Sequence, residues 1–390
     1  MKRRSSPPDQ EQSTRTAVGG RQVRDEDVFN IAPVARWLAD HTAAGRTDID
    51  LTATPQVRQF LGGASNLTYL LCYPDGDLIL RRPPRGTHHS SAHDMAREYR
   101  VQTQLCGGLP YVPHTVALCE DPTVIGTPFY VMQRMDGLIS RKNLPPGVTL
   151  DSVRTAQLCR NVIDLLIELH SVDLAATGLG DLDRGDRYVA RQVRGWCERY
   201  RRARTWNVGS FEAVMQWLAD KQPDDRPHTL VHNDFRFDNI VLDPHDPTRP
   251  IGLLDWELAT VGDPLMDLAN SMGYWIQADD PRYAQAFRRQ PTHLPGMMTR
   301  QQVVAYYCDR TGTTVTNRQW AWYQVFGLFR VAVIAQQVYQ RYLRKQTTNK
   351  QFRFFGIGVV LAQRRCQRFI AAAERMPPHV ADALVGGPAD

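Results

Sequence analysis

The segment Thr229–Asp255 constrains the fold of this chain more than any other stretch of it. It holds three short apolar runs, Thr229–Val231, Ile240–Leu242 and Ile251–Leu254, each a candidate strand with a polar residue close to one end. Asp234 follows the first run through His232-Asn233, Asn239 stands directly before the second, and Asp255 directly follows the third. An Asx-turn at a strand end accounts easily for one such residue. It accounts poorly for three at this spacing. Brought together, they would be a carboxylate able to receive a hydroxyl proton, plus an amide oxygen and a second carboxylate able to hold Mg²⁺ against nucleotide phosphates. That is a minimal set for moving a phosphoryl group.

The rest of the composition agrees with an ordinary globular enzyme. A chain of 390 residues suits two domains or one large bilobal unit. It is 42% hydrophobic and 23% charged, enough apolar material for a substantial core. The net charge of +6 (47 basic minus 41 acidic residues) is mild at this size and gives no case for a nucleic-acid partner. Seven cysteines without a C-x-x-C pair read as reduced thiols, which points to a cytoplasmic protein rather than a disulfide framework. No run reaches the ~18 to 20 apolar residues of a membrane span; Val325–Val338 is broken by Arg330, Gln336 and Gln337. Residues 1–27 carry charge but no apolar core, so they read as a disordered, solvated tail rather than a secretory signal. A basic docking arm is the alternative for that tail.

Periodicity divides residues 28–390 into two halves. Val28–Ala43 has helical spacing, residues 57–82 alternate as strands broken by turns, Ala92–Leu105 is helical again, and Val112–Glu120 and Pro128–Met132 are strand-like. Beyond the break at Asp136-Gly137 helices dominate: Asp151–Ser171, Tyr188–Arg204, Phe211–Asp220, Arg300–Arg310, Arg318–Arg344 and Phe355–Met376. One more begins at Asp263-Pro264, an N-cap followed by proline in the first turn. The expected fold is α+β and bilobal: a small antiparallel-sheet lobe over 28–135 that binds nucleotide, and a large helical lobe over 136–390 carrying the catalytic loop and substrate site.

The pattern His232-x-Asp234-x₄-Asn239, the Leu-Asp-Trp-Glu around Asp255 and the run Gly262–Ala269 resemble the catalytic block of the aminoglycoside phosphotransferase and choline kinase-like family, relatives of the protein kinases. The likeness extends from about Phe60 to about Tyr274. It implies a protein-kinase-like fold, ATP or GTP as co-substrate and Mg²⁺ as cofactor. It also implies Asp234 as catalytic base, Asn239 and Asp255 as metal ligands, and Arg236 as a cation facing the transferring phosphate. A salt bridge to Asp238 is the alternative for Arg236. His232 is expected to hydrogen-bond the loop backbone, and Asp267 to brace the loop from its helix.

In the strand-rich half, Gly62, Gly63, Ser65 and Asn66 lie between two strands, where glycines let backbone N–H groups approach phosphates. A hairpin turn uses the same residue types. The resemblance requires a strand cation paired with a helix glutamate. There is no lysine between Lys2 and Lys142, so Arg81 occupies the lysine position with Glu98 as partner. Arginine keeps the charge and can bind phosphate bidentately with a different geometry. The family likeness makes Phe129–Gly137 the hinge, with backbone groups of Gln133 and Met135 on the adenine edge and Met132 behind.

Arg81-Arg82-Pro83-Pro84 resembles the branch of this family found as kinase domains in some acyl-CoA dehydrogenases, which implies a hydroxyacyl-CoA acceptor. Residues 184–204 hold eight arginines against Asp186 and Glu198, suited to an anionic acceptor rather than a polycationic aminoglycoside, or else a solvated face. The readings left open are a small-molecule O-kinase, a weakly catalytic nucleotide-binding regulator, and an aminoglycoside-modifying kinase. A kinase acting on proteins is disfavoured, because no D-F-G and A-P-E pair follows Asp255.

Overall fold

The structure, a computed structural model, describes residues 19–60, 66–84, 94–347 and 349–385. Along the chain run α1 (Ile31–His41), β1 (Gln56–Gln59), β2 (Leu67–Cys72), β3 (Asp77–Arg82), α2 (Met95–Leu105), β4 (Thr115–Cys119), α3 (Pro122–Ile125) and β5 (Phe129–Gln133). Next come β6 (Leu138–Ile139), α4 (Ser152–His170), α5 (Leu174–Thr177), α6 (Tyr188–Ala203), α7 (Glu212–Asp220), β7 (Thr229–Val231), β8 (Ile240–Leu242), β9 (Pro250–Leu253) and β10 (Thr260–Gly262). The remainder is helical: α8 (Pro264–Tyr274), α9 (Arg282–Ala286), α10 (Arg300–Thr311), α11 (Asn317–Leu343), α12 (Phe355–Glu374) and α13 (Pro378–Asp382). The chain divides into two units, Met1–Tyr99 with His114–Arg134, and Arg100–Pro113 with Met135–Asp390. The segment 100–113 thus groups with the helical unit.

The first unit is built on an antiparallel sheet of order β1-β2-β3-β5-β4. Side chains alternate across a strand, and β3 shows what this achieves. Leu78 and Leu80 join Val34 and Leu38 of α1 on one face, while Ile79 joins Met95, Tyr130 and Met132 on the other. The same alternation separates the two arginines that end the strand. Arg82 donates to the Tyr69 hydroxyl (2.7 Å) and the Asp27 carbonyl (2.8 Å), whereas Arg81 pairs with Glu98 of α2 at 3.3 Å.

The expected disordered tail over 1–27 is corrected here for its last nine residues. Arg21 and Gln59 exchange both backbone hydrogen bonds at 2.8 Å, and Asp25–Asp27 form a 3₁₀ turn. The Asp27 carboxylate accepts from the Gln59 side chain at 2.7 Å. A polar segment is ordered because it satisfies polar groups at the sheet edge, a pairing that its own composition does not disclose.

In the second unit, two small sheets, β10-β7 and β6-β8-β9, are surrounded by helices over a large core that includes Trp256, Trp322, Tyr200, Phe211 and Phe326. Asp263 caps α8 as the sequence predicts, accepting from Leu265 N–H (2.8 Å). Its other oxygen accepts from the Tyr323 hydroxyl of α11 (2.6 Å). Helices α8 and α11 cross where Gly273 meets Gly327. A Cβ on Gly327 would lie 2.0 Å from the Ala269 carbonyl oxygen, and one on Gly273 2.7 Å from the Gly327 carbonyl oxygen. Only hydrogen fits at this crossing, so two glycines set how closely the helix bracing the catalytic loop approaches its neighbour. Gly327→Ala should therefore lower stability by about 2 kcal/mol or more, read as a lower urea midpoint. An unchanged midpoint would show that the crossing has slack.

Candidate active site

The loop from β7 to β8 carries Asp234, Arg236 and Asn239, and the loop from β9 to β10 carries Asp255. Each contains a non-glycine residue in the left-handed region, Asn233 (φ 63°) and Asp255 (φ 69°). Asn and Asp tolerate that region better than other side chains, but it must be held in place. Asp267 of α8 does this for the first loop. Its two carboxylate oxygens accept from the backbone N–H of His232 (2.7 Å) and of Asn233 (2.8 Å). Although burial alone would raise its pKa, the hydrogen bond with His170 (3.2 Å), with help from His232, holds the carboxyl below the usual 3.8.

Three hydrogen bonds join the two loops. His232 Nε2–H donates to the Leu254 carbonyl (3.0 Å), Leu254 N–H to the Asn239 carbonyl (2.8 Å), and the Asn233 side-chain amide to the Leu258 carbonyl (3.1 Å). His232 Nδ1 also accepts from Asp234 N–H at 3.2 Å, so both ring nitrogens are committed to backbone. Burial pushes the imidazole pKa below 6.5, which keeps it neutral in that role.

Within this frame the polar side chains converge. Asp234 Oδ2 accepts from Arg236 Nη2 (3.0 Å) and from Asn239 Nδ2 (3.0 Å), and Asn239 Nδ2 donates also to the Asp234 carbonyl (2.9 Å). Asp234 Oδ1 and Asn239 Oδ1 are left with no hydrogen-bond partner among the described residues. Arg236 lies over the Tyr274 ring (4.8 Å to its centroid), and its Nε is 3.4 Å from Asp238 Oδ1. Its pairing with Asp238 therefore coexists with its contact to Asp234. Burial alone would lower its pKa, but the carboxylates of Asp234 and Asp238 keep the guanidinium charged. The charge of Asp255 acts on both Arg236 and His232.

Among the described residues, no group of three or more His, Cys, Asp or Glu side chains is arranged to hold a metal. What Asn239 and Asp255 offer is one amide oxygen and one carboxylate. Mg²⁺ commonly binds through one or two protein oxygens, with waters and phosphate oxygens completing its octahedron. The donor set fits Mg²⁺ in that mode.

In the first unit, Arg81 and Glu98 form a buried ion pair at 3.3 Å, with 7% and 1% of their surfaces exposed. Asn66 is buried directly before β2. Gln133 N–H is taken by the His114 carbonyl at 2.8 Å. Met135, in the second unit, packs its sulfur against Gly252, where a Cβ would come within 2.5 Å of it. Gly62, Gly63 and Ser65 lie outside the described residues.

Sequence reasoning missed two residues beside the loop. Tyr274 carries Arg236 on its ring, and Arg330 of α11 donates to the Asn233 carbonyl. The usable signal for Arg330 was a charge inside the apolar run Val325–Val338.

The sequence profile of the phosphotransferase enzyme family matches residues 56–300, more than half of the chain. The chain belongs to this family. Among the relatives of this phosphotransferase, mouse acyl-CoA dehydrogenase family member 10 is 37% identical over 329 residues, which is 83% of this chain and 30% of that protein. Human acyl-CoA dehydrogenase family member 11 is 32% identical over 346 residues, 88% of this chain and 43% of that protein. The phosphotransferase thus spans less than half the length of these curated relatives. A solved Ralstonia eutropha protein assigned to the aminoglycoside phosphotransferases superposes with a TM-score of 0.72 at 27% identity, covering 89% of this chain and 99% of its own. The expected α+β kinase-like fold, with its five-stranded antiparallel sheet and helical second unit, is the one observed.

Asp267→Asn tests the loop anchor. An amide cannot accept from both N–H groups through two oxygens, so one buried donor loses its partner, at a cost of about 2 kcal/mol or more. Because the folded pKa of Asp267 is depressed, its contribution is complete above about 3.8 and is lost as pH falls through the lower folded value. Urea denaturation should therefore show the wild type well above the variant at pH 7, the gap closing only in strong acid. Equal midpoints at pH 7 would contradict the anchor.

Proposed function

We propose that this phosphotransferase moves the γ-phosphoryl group of ATP or GTP to a hydroxyl of a small metabolite, with a hydroxyacyl-CoA as the acceptor class. The observation that carries the reading is the asymmetry of Asp234. One carboxylate oxygen is fixed by Arg236 and Asn239, and the other accepts from no described residue. A carboxylate held this way is oriented to take a proton from an attacking hydroxyl. Arg236 supplies fixed positive charge beside it. When bound by Asn239 and Asp255, Mg²⁺ would offset the charge of the nucleotide phosphates.

Arg81, paired with Glu98, is proposed as the nucleotide anchor in place of a lysine. The acyl-CoA class is favoured by the relatives' names, which concern acyl-CoA. The second reading is a weakly catalytic nucleotide-binding regulator. It rests on arginine standing at the lysine position.

Acceptor-dependent release of nucleoside diphosphate separates the two. Hydroxyacyl-CoAs, choline-type alcohols and aminoglycosides form the acceptor panel, with ATP and GTP each tried. Asp234→Asn should lower kcat by about 10² to 10⁴-fold while nucleotide still binds. Wild-type protein that binds nucleotide but releases no diphosphate with any acceptor would favour the regulator. Turnover on aminoglycosides with none on acyl-CoAs would overturn the acceptor class. Arg81→Met should weaken nucleotide binding about tenfold, as expected for one lost charge-assisted hydrogen bond; unchanged binding would remove Arg81 from the anchor role.

A further inference from the structure

Most of the arginines that mark residues 184–204 are accounted for without a ligand. Arg184, Arg187, Arg194, Arg202 and Arg204 are exposed, Arg191 folds back on the carbonyls of Gly185 and Asp186, and Arg201 pairs with Glu212. Arg199 differs. It is half-buried, and its guanidinium lies over the indole of Trp196, 4.7 Å from the ring centroid. Arg330, from α11, lies over the same indole at 4.9 Å.

Two cations therefore share one aromatic ring, and neither has an ion-pair partner among the described residues. Arg330 is 2% exposed. Its Nη2 donates to the Asn233 carbonyl, while its Nη1 is buried with no hydrogen bond among the described residues. A buried, unpaired guanidinium next to a second one is costly; cation–π contact recovers only a part of that cost. Burial and the neighbouring charges of Arg202 and Arg330 lower the pKa of Arg199, which expresses the same repulsion. Of the nearby carboxylates, Asp267 is engaged by the loop N–H groups and His170, and Asp234 by Arg236 and Asn239, while Glu198, the exposed residue before Arg199, acts on it through its charge without a recorded ion pair among the described residues.

The position of this cluster ties it to the candidate site. Arg330 holds the carbonyl of Asn233, the residue directly before Asp234, and Tyr274 feels the charges of both Asp234 and Arg330. An anion bound here would lie close to the proposed base, and so to any hydroxyl that base deprotonates.

We infer that Arg330 and Arg199, stacked on Trp196 beside the β7–β8 loop, form a subsite that binds an anionic oxygen of the acceptor, a carboxylate or a phosphate, and so select anionic over neutral alcohols. The inference rests on the proposed phosphotransfer to a small hydroxylated molecule, and it names the residues that would discriminate among such molecules. Arginine suits the task because its planar fork can keep one hydrogen bond to the loop while another N–H meets the anion.

Equilibrium binding to the full chain without nucleotide tests the subsite independently of turnover. The probes are 3-hydroxybutyrate, 3-hydroxybutyryl-CoA, the uncharged 3-hydroxybutyryl-pantetheine and 1,3-butanediol, measured by calorimetry. At least one anionic probe should bind about tenfold or more tightly than both neutral ones, the difference a charge-assisted hydrogen bond provides. Preference for the free acid would mark a carboxylate subsite, and preference for the CoA ester a phosphate subsite. Arg199→Met, at a half-exposed position, should remove most of that preference, and Arg330→Lys, which keeps the charge but not the fork, should reduce it. Wild-type protein that binds neutral and anionic probes equally, or an Arg199→Met variant with the preference intact, would overturn the inference. Failure of phosphotransfer with a preserved anion preference would instead count against the proposed reaction alone.

Discussion

The candidate site depends on one buried carboxylate. Asp267, fully enclosed on α8, accepts from two consecutive backbone N–H groups where the chain turns through the left-handed conformation of Asn233. Without an acceptor these donors would be buried and unpaired at a corner that is already strained. With it, the turn is fixed. His232 can then reach across to Leu254, and Asn239 can lock one oxygen of Asp234. The close crossing of α8 and α11 at Gly273 and Gly327 sets the height from which Asp267 acts. It also brings Arg330 to the carbonyl of the same Asn233. Loop, brace and second arginine are thus joined by hydrogen bonds within the helical unit.

Buried charge is handled by the same means in each unit. Arg81 and Glu98 are nearly excluded from solvent and pair with each other, and Arg82 is satisfied by the Tyr69 hydroxyl and the Asp27 carbonyl. Arg236 is balanced by Asp234 and Asp238. Arg199 and Arg330 are the contrast, with no ion pair among the described residues and only an indole between them and repulsion. Buried charge that is paired supports a fold or orients a group; buried charge that is not paired asks for a ligand.

Local patterns revealed a great deal. The strands β7 and β8 begin and end at the residues their apolar runs predict, and α8 starts at the cap that Asp263-Pro264 signals. The Arg81–Glu98 pair, which the family resemblance implied rather than any local pattern, is formed. Other features were not legible. The strand β6 has only two residues, and β10 (Thr260–Gly262) sets a single valine between threonine and glycine, so neither presents an apolar run like those of β7 and β8. The ordering of residues 19–27 comes from Gln59, Tyr69 and Arg82, which are distant in sequence. Arg330 lies 97 positions beyond the residue it contacts. A helix pattern shows that a charge is out of place there but not what it touches.

Asp234, Asn239 and Asp255 are proposed to form one phosphotransfer site that works through Mg²⁺. The direct measurement is nucleotide affinity in Mg²⁺ and in a chelator, for the wild type and for a variant carrying Asn239→Ala and Asp255→Ala. Mg²⁺ should tighten wild-type binding about tenfold or more, as a metal shared by protein and phosphates would, and the variant should lose this gain. Equal affinities with and without Mg²⁺ in the wild type, or a metal effect that survives in the variant, would contradict it.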